Sequence, residues 1–279
     1  SSDVCSSDLY VLGASVPDDT PMAMEILDSA GRTVFAEYAP ETREDCPASP
    51  RQRMLRRTAG ANRWSWDMQV GRFACLAEVT NTSRNLGAYA AMPGRYTVRL
   101  TVGDEVRTQE FEILIDPRLD GLAADPVAEY QELDRISAQL FAAAQAMERG
   151  VLALRRVQEQ VDFALSVSSA ADVQEGGAEL SATLEGWIEQ ILQKHLVTGQ
   201  NNYMFEARLL VKFKDLLGRI SGANIPVTDG VKEVAVDYGT DWAGIEADLQ
   251  RIFDEDIPSY NDVLRAAGLP EIYLPRPVT

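Results

Sequence analysis

The chain reads as an α+β multidomain protein: an N-terminal immunoglobulin/fibronectin-like β-sandwich followed by an antiparallel four-helix bundle. Three observations predict this. Between Met92 and Pro117, apolar residues alternate with polar ones about a Gly103-Asp104 turn, the period-two pattern of a hairpin with one buried face. After Asp125-Pro126 the apolar spacing changes to three and four, the pattern of amphipathic helices. A chain of 279 residues suggests about two domains of ~150 residues each. The expected division is a tail at 1–9, a sandwich at 10–118 and a bundle at 119–279.

The first nine residues, SSDVCSSDL, repeat Ser-Ser-Asp. They resemble a translated sequencing adapter at the end of a metagenomic gene fragment, or else a disordered polar tail. On the adapter reading Cys5 is not biological and the natural N-terminus lies upstream. Tyr10–Val16 is a plausible first strand, and Met22–Leu27 follows the Pro17–Thr20 turn. Ala30-Gly31-Arg32 is a hairpin turn into Thr33–Tyr38. Ala39–Ala59 is a long loop with a basic run from Arg51 to Arg57. That run suits an anionic ligand or a solvated loop; without interleaved aromatic residues the second reading is favoured. Asn62–Asp67 is a strand with Trp64 and Trp66 on one face. Met68–Ala91 is poorly patterned, with part of a strand near Phe73–Val79 and a sequon at Asn81-Thr82-Ser83.

Pro93-Gly94 opens the closing hairpin. Tyr96, Val98, Leu100 and Val102 share one phase. On the return strand Val106 sits in one phase and Phe111, Ile113 and Ile115 in the other, which predicts a β-bulge between Thr108 and Phe111. Asp116-Pro117 ends the pairing. Short strands with one long connection suit a seven-strand sandwich.

Asp125-Pro126 is a cap followed by Pro at the first helical position. The stripe from Val127 to Leu165 predicts one long helix, kinked at Gly150. Ser166–Gly177 reads as a loop. Leu180, Leu184, Trp187, Ile188 and Ile191 mark a second helix, and Phe205, Leu209, Phe213, Leu216 and Ile220 a third, over about Met204–Ser221. Thr228 caps a fourth, with Val231, Val234, Tyr238, Trp242, Ile245, Leu249 and Ile252 as its stripe, restarting near Pro258.

The net charge of −17 would repel nucleic acid and anionic membrane surfaces, so neither is expected as a partner. No run of about 18 apolar residues offers a spanning helix. The three cysteines form no C-x-x-C or Cys/His cluster, and no metal or cofactor is expected. A Cys46–Cys75 disulfide would need an oxidising compartment. A di-metal carboxylate site wants Glu-x-x-His, but Leu192 stands three residues before the single histidine, His195. No glycine elbow surrounds a serine that His195 could activate. Asp254-Glu255-Asp256 is the densest carboxylate run; neighbouring helical residues point in different directions, so a solvated face is favoured over an acid–nucleophile pair. No catalytic residue is assigned. Trp64 and Trp66 are the candidate site: a sugar-stacking platform, or sandwich core, the reading favoured because each indole can bury ~200 Å².

Several stretches carry a family likeness. Gly60-Ala-Asn-Arg-Trp-Ser-Trp-Asp67 resembles the G-x-N-R-x-x-W-D stretch that follows the β-propeller in large bacterial sortilin/VPS10-like glycosyl-hydrolase-like proteins. Pro93-Gly-Arg-Tyr96 with Val98 and Leu100 is similar to their P-G-x-Y-x-V-x-L strand, and Asp116-Pro-Arg-Leu119 to their exit into helices. Gly199-Gln200, Asp256-Ile-Pro258, Asn261 and Ala267-Gly-Leu-Pro270 also match. The resemblance covers the chain from about Tyr10. It implies a secreted or periplasmic protein whose propeller carries any glycan chemistry. The propeller and its Asp-box repeats are missing here, so no catalytic residue carries over. The implied role is a non-catalytic accessory or scaffold region with that propeller as partner, able to form a homo-oligomer. The alternative is a stand-alone carbohydrate-binding or adhesion module, with carbohydrate or protein as ligand, using Trp64 and Trp66.

Overall fold

The computed structural model describes residues 6–39, 55–71, 76, 89–117, 124–194, 205–221 and 226–273. The architecture is α+β, with antiparallel sheets and long helices. It divides into two compact units: Ser1–Cys75 with Leu86–Ala138 and Leu217–Thr228, and Leu76–Asn85 with Gln139–Leu216 and Asp229–Thr279. The units interleave along the chain, and one of the crossings, at 138/139, falls within the long helix. The first turns of the long helix carry Leu133 and Ile136, both buried, and they belong with the strands.

In the first unit β1 (Ser6–Leu12) pairs with β4 (Gly60–Trp66). A second sheet orders β3 (Thr33–Ala39), β2 (Met22–Leu27), β7 (Gly94–Val102) and β8 (Glu105–Ile113). A third, small sheet joins β5 (Gln69–Val70) to β6 (Tyr89–Ala90). Among the described residues there are thus eight strands in three sheets, where seven strands were expected. Ser6–Leu9, expected as tail, extend β1 as far as Trp66 of the partner strand. In β1, Leu9 and Val11 face out while Tyr10 and Leu12 face in.

One core joins the two larger sheets. Tyr10 and Leu12 of β1, Met22, Met24 and Ile26 of β2, and Tyr96 of β7 meet Leu55 and the indoles of β4. On the opposite face of the larger sheet, Glu25 and Arg99 stand across from one another and form an ion pair at 2.8 Å. The turn of the β2–β3 hairpin is closed by Gly31 at φ 77°, a left-handed conformation that costs glycine little.

The expected bulge in β8 is absent. The β7–β8 register runs unbroken from Gly94↔Ile113 to Val102↔Glu105. Phe111 and Ile113 share their phase with Glu105, Arg107 and Gln109, and the latter three lie beyond the edge of the core, exposed. Val106 is on the other face, 51% exposed. The change of apolar phase therefore marks where the core stops, not a backbone irregularity. The sheet's irregular step lies at Ile26/Leu27.

The helices are α1 (Pro126–Val167), α2 (Ala171–Ile191), α3 (Leu209–Ile220), α4 (Asp229–Arg251) and α5 (Ile257–Ala266). At 42 residues, α1 is ~63 Å long. Asp125 caps it, accepting the Ala128 amide at 3.1 Å. The predicted stripe is buried from Leu133 through Val161, while at its ends Val127 is exposed and Leu165 half-buried. Between α4 and α5, Ile252–Asp256 form one π-helical turn, in which the Ile257 amide reaches back to the Ile252 carbonyl. Pro258 explains it: proline has no amide for the carbonyl four residues before, and its ring crowds that carbonyl. The wider turn relieves both problems, and the helix continues.

Three glycine positions are settled by packing. Gly176 and Gly177, expected in a loop, lie inside α2. A Cβ on Gly177 would sit 2.7 Å from the Tyr260 hydroxyl and 2.7 Å from Leu165. The Tyr260 hydroxyl donates to the Val173 carbonyl at 3.2 Å, so α5 lies hard against α2. Gly150, expected as a kink, faces the Trp187 ring, which a Cβ would approach to 2.7 Å. The third helix begins at Leu209 rather than near Met204, which itself is outside the described residues. In the second unit one ion pair is deeply buried: Lys214 of α3 with Glu148 of α1. Among the described residues no helix is long and apolar enough to cross a membrane.

Candidate functional site

Trp64 and Trp66 are 4% and 1% exposed. A sugar can stack only on an open ring face, so they do not form the stacking platform considered above. Alternation along β4 turns both inward. There Phe35 lies 6.2 and 6.3 Å from the two rings, and Phe111 meets Trp66 edge-on at 6.1 Å. The Trp64 N–H donates to the buried Glu37 carboxylate at 2.8 Å, and that of Trp66 to the Gln69 carbonyl at 2.9 Å. Both indoles are core residues with their polar edges satisfied.

The other sequence candidates are also committed locally. Asp254 accepts from Gln250 at 2.7 Å, and Asp256 pairs with Arg251 at 2.8 Å. In the basic run, Leu55 is buried in the core and the Tyr10 hydroxyl donates to the Arg56 carbonyl at 2.6 Å. The Arg57 guanidinium donates to the carbonyls of Pro17 and Thr20. Arg57 thus clamps the Pro17–Thr20 turn. His195, Cys5, Cys46, Cys75, Arg51 and the sequon at Asn81 lie outside the described residues. Among the described residues, no group of three or more His, Cys, Asp and Glu is placed to hold a metal ion.

What the fold does build is a cleft of about 300 Å³ in the first unit. The β2–β3 turn supplies Asp28 and Arg32, β6 supplies Tyr89, β7 supplies Tyr96, and α1 supplies Tyr130 and Asp134. The last two are four residues apart and so share a helix face. Val34, Val70, Ile115 and Val127 add apolar wall.

The charges here are unevenly matched. Asp28 takes the Arg32 side chain at 2.7 and 2.8 Å and the amides of Ala30 and Arg32 at 2.9 Å each. Although burial opposes it, these hydrogen bonds together hold the Asp28 pKa below the usual aspartate value. Asp134 differs: half-buried, it accepts no hydrogen bond and joins no ion pair among the described residues. Burial pushes its pKa up, opposed by the charge of nearby Arg32. Tyr89 and Tyr96 are both pushed up to about 12, mainly by burial and then by Asp134, so both phenols stay neutral.

None of these residues is a candidate site residue in the sequence, where Arg32 reads as part of a turn and Tyr96 as a strand position. Asp134 falls among the residues of the first helix that are not in its apolar stripe, and Tyr89 lies in the unpatterned connection. Only the closeness of α1 to the strands half-buries the carboxylate.

Compared with models of known protein families, and with curated proteins, the chain gives no match.

Proposed function

We propose that this chain is a non-catalytic accessory region. In this reading, an immunoglobulin/fibronectin-like β-sandwich and an antiparallel four-helix bundle buttress or oligomerise the β-propeller of a secreted or periplasmic, sortilin/VPS10-like glycosyl-hydrolase-like protein of bacterial type. One observation carries it: four residues behind the family likeness, Asn62, Trp66, Asp67 and Tyr96, are spent on the fold itself. Asn62 is buried and bonds the carbonyls of Thr58 and Gly60 at 2.8 and 3.0 Å. Trp66 fills the core, and Asp67 accepts the Gln69 amide at 3.2 Å. Tyr96 donates its hydroxyl to the Met92 carbonyl, four residues upstream, at 2.8 Å. That last contact is similar to the tyrosine corner of immunoglobulin-type sandwiches and supports the finer fold assignment. Residues engaged in this way hold a scaffold together and leave chemistry to another domain.

The test is expression of the chain alone and of the chain fused behind a propeller encoded in frame upstream. The expected result is a cooperatively folded protein that hydrolyses no aryl glycoside alone, and a propeller that melts higher when fused to it. Glycosidase turnover by the isolated chain, abolished by a point substitution within it, would overturn the reading.

A further inference from the structure

We propose that the cleft bounded by the β2–β3 turn, β6, β7 and the start of α1 binds a neutral monosaccharide unit, with Asp134 and Arg95 as its hydrogen-bonding partners. The cleft holds about 300 Å³, the lower end of the range for small-ligand sites.

The lining charge selects against an ion. Two carboxylates, Asp28 and Asp134, and two guanidiniums, Arg32 and Arg95, face the cleft, so their formal charges cancel. Asp28 holds Arg32 at 2.7 Å, and the charge of Arg32 also acts on Asp134. A cation drawn to Asp134 would meet two guanidiniums, and an anion drawn to Arg95 two carboxylates.

Hydrogen-bonding capacity, unlike charge, is left over. Arg95, Tyr130 and Asp134 make no hydrogen bond or ion pair among the described residues. The Asp134 carboxylate is half-buried and, being an acceptor only, needs donors. A purely apolar guest would strip its remaining water and offer none. Arg95, exposed at the rim, presents the opposite: a planar fork of donors. Tyr96 spends its proton on the Met92 carbonyl, which leaves its oxygen free to accept. Sugar hydroxyls donate and accept at once, so neighbouring hydroxyls satisfy a carboxylate and a guanidinium without adding charge. The C–H face of a pyranose is apolar, and Tyr130, one helical turn before Asp134, supplies an aromatic surface for it beside Val34 and Ile115. This site is separate from Trp64 and Trp66, whose rings are buried. It does not depend on the scaffold reading, and either can fail alone.

The test uses the full chain and the methyl glycosides of glucose, galactose and mannose as probes. Glucosamine and glucuronate supply the same ring with positive and negative charge, and cyclohexanol a ring stripped of hydroxyls. Binding is followed by amide shifts of Gly94 and Tyr96 in two-dimensional NMR. The expected result is saturable shifts with at least one neutral glycoside and weaker binding of all three controls. Loss of a hydrogen bond to a charged group should weaken that glycoside about tenfold in Asp134→Asn. Should that variant fail to fold, Arg95→Ala, a change at an exposed position, carries the same expectation. Absence of saturable shifts with all three glycosides, tighter binding of glucosamine or glucuronate, equal affinity for cyclohexanol, or undiminished affinity in the folded variants would each overturn the proposal.

Discussion

Gly150→Ala tests the packing of the second unit most directly. In an open helix this substitution stabilises by about 1 kcal/mol, since alanine loses less backbone entropy than glycine. At Gly150 the new methyl would lie 2.7 Å from Trp187 Cη2 and 3.0 Å from Leu249 Cδ2. The indole cannot readily give way. It is 2% exposed, its N–H donates to the Ile245 carbonyl at 2.9 Å, and Trp242 lies edge-on at 6.5 Å. Overpacking of this kind costs about 1–3 kcal/mol. The net expectation is therefore a loss of up to about 2 kcal/mol, with the favourable propensity term already subtracted. Gly186 is the internal control: it is also helical, but a Cβ there meets nothing within 4 Å. Gly186→Ala should gain about 1 kcal/mol. Urea unfolding followed by tryptophan fluorescence and by circular dichroism reads both changes as midpoint shifts at constant slope. A double-mutant cycle adds a sharper test, because in a Trp187→Ala background Gly150→Ala should become stabilising. If Gly150→Ala stabilises the otherwise wild-type chain as much as Gly186→Ala does, the claim that Gly150 exists to admit Trp187 is wrong.

Two further predictions follow from buried charge. Lys214→Met removes the cation beside Glu148, whose side chain is fully buried, and should cost about 3–5 kcal/mol in the same assay. Replacing both partners with Met and Leu should recover most of that loss, because two desolvated charges then disappear together. Asp134 gives a pH signature. Its folded-state pKa is raised, so the folded chain holds that proton more tightly than the unfolded chain. The resulting stabilisation is complete below the unfolded value of about 3.9 and is lost as pH rises through the folded value. At pH 7 the ionised group is a liability, and Asp134→Asn should melt higher than wild type. The difference should shrink as pH falls towards 4; a constant difference across that range would contradict the assigned cause.

The sequence by itself determined where the chain changes from strands to helices, because the periods of two and near 3.6 are properties of local geometry. It also determined the Gly103-Asp104 turn, the Asp125-Pro126 start and the inward stripes of α1 to α3, each written in neighbouring residues. It ranked Trp64 and Trp66 correctly as core over platform, since alternation places both on one face and large apolar area favours burial. Tertiary structure alone decided the rest. Gly150, Gly176 and Gly177 look like breakers until Trp187 and Tyr260, distant in sequence, are seen to need the space. The phase change in β8 looks like a bulge until the edge of the core is located. The half-burial of Asp134 has no sign in the sequence; it arises where α1 lines a cleft with the strands. In each case the deciding energy is a contact, or a loss of water, contributed by residues far along the chain, and no local pattern can encode that.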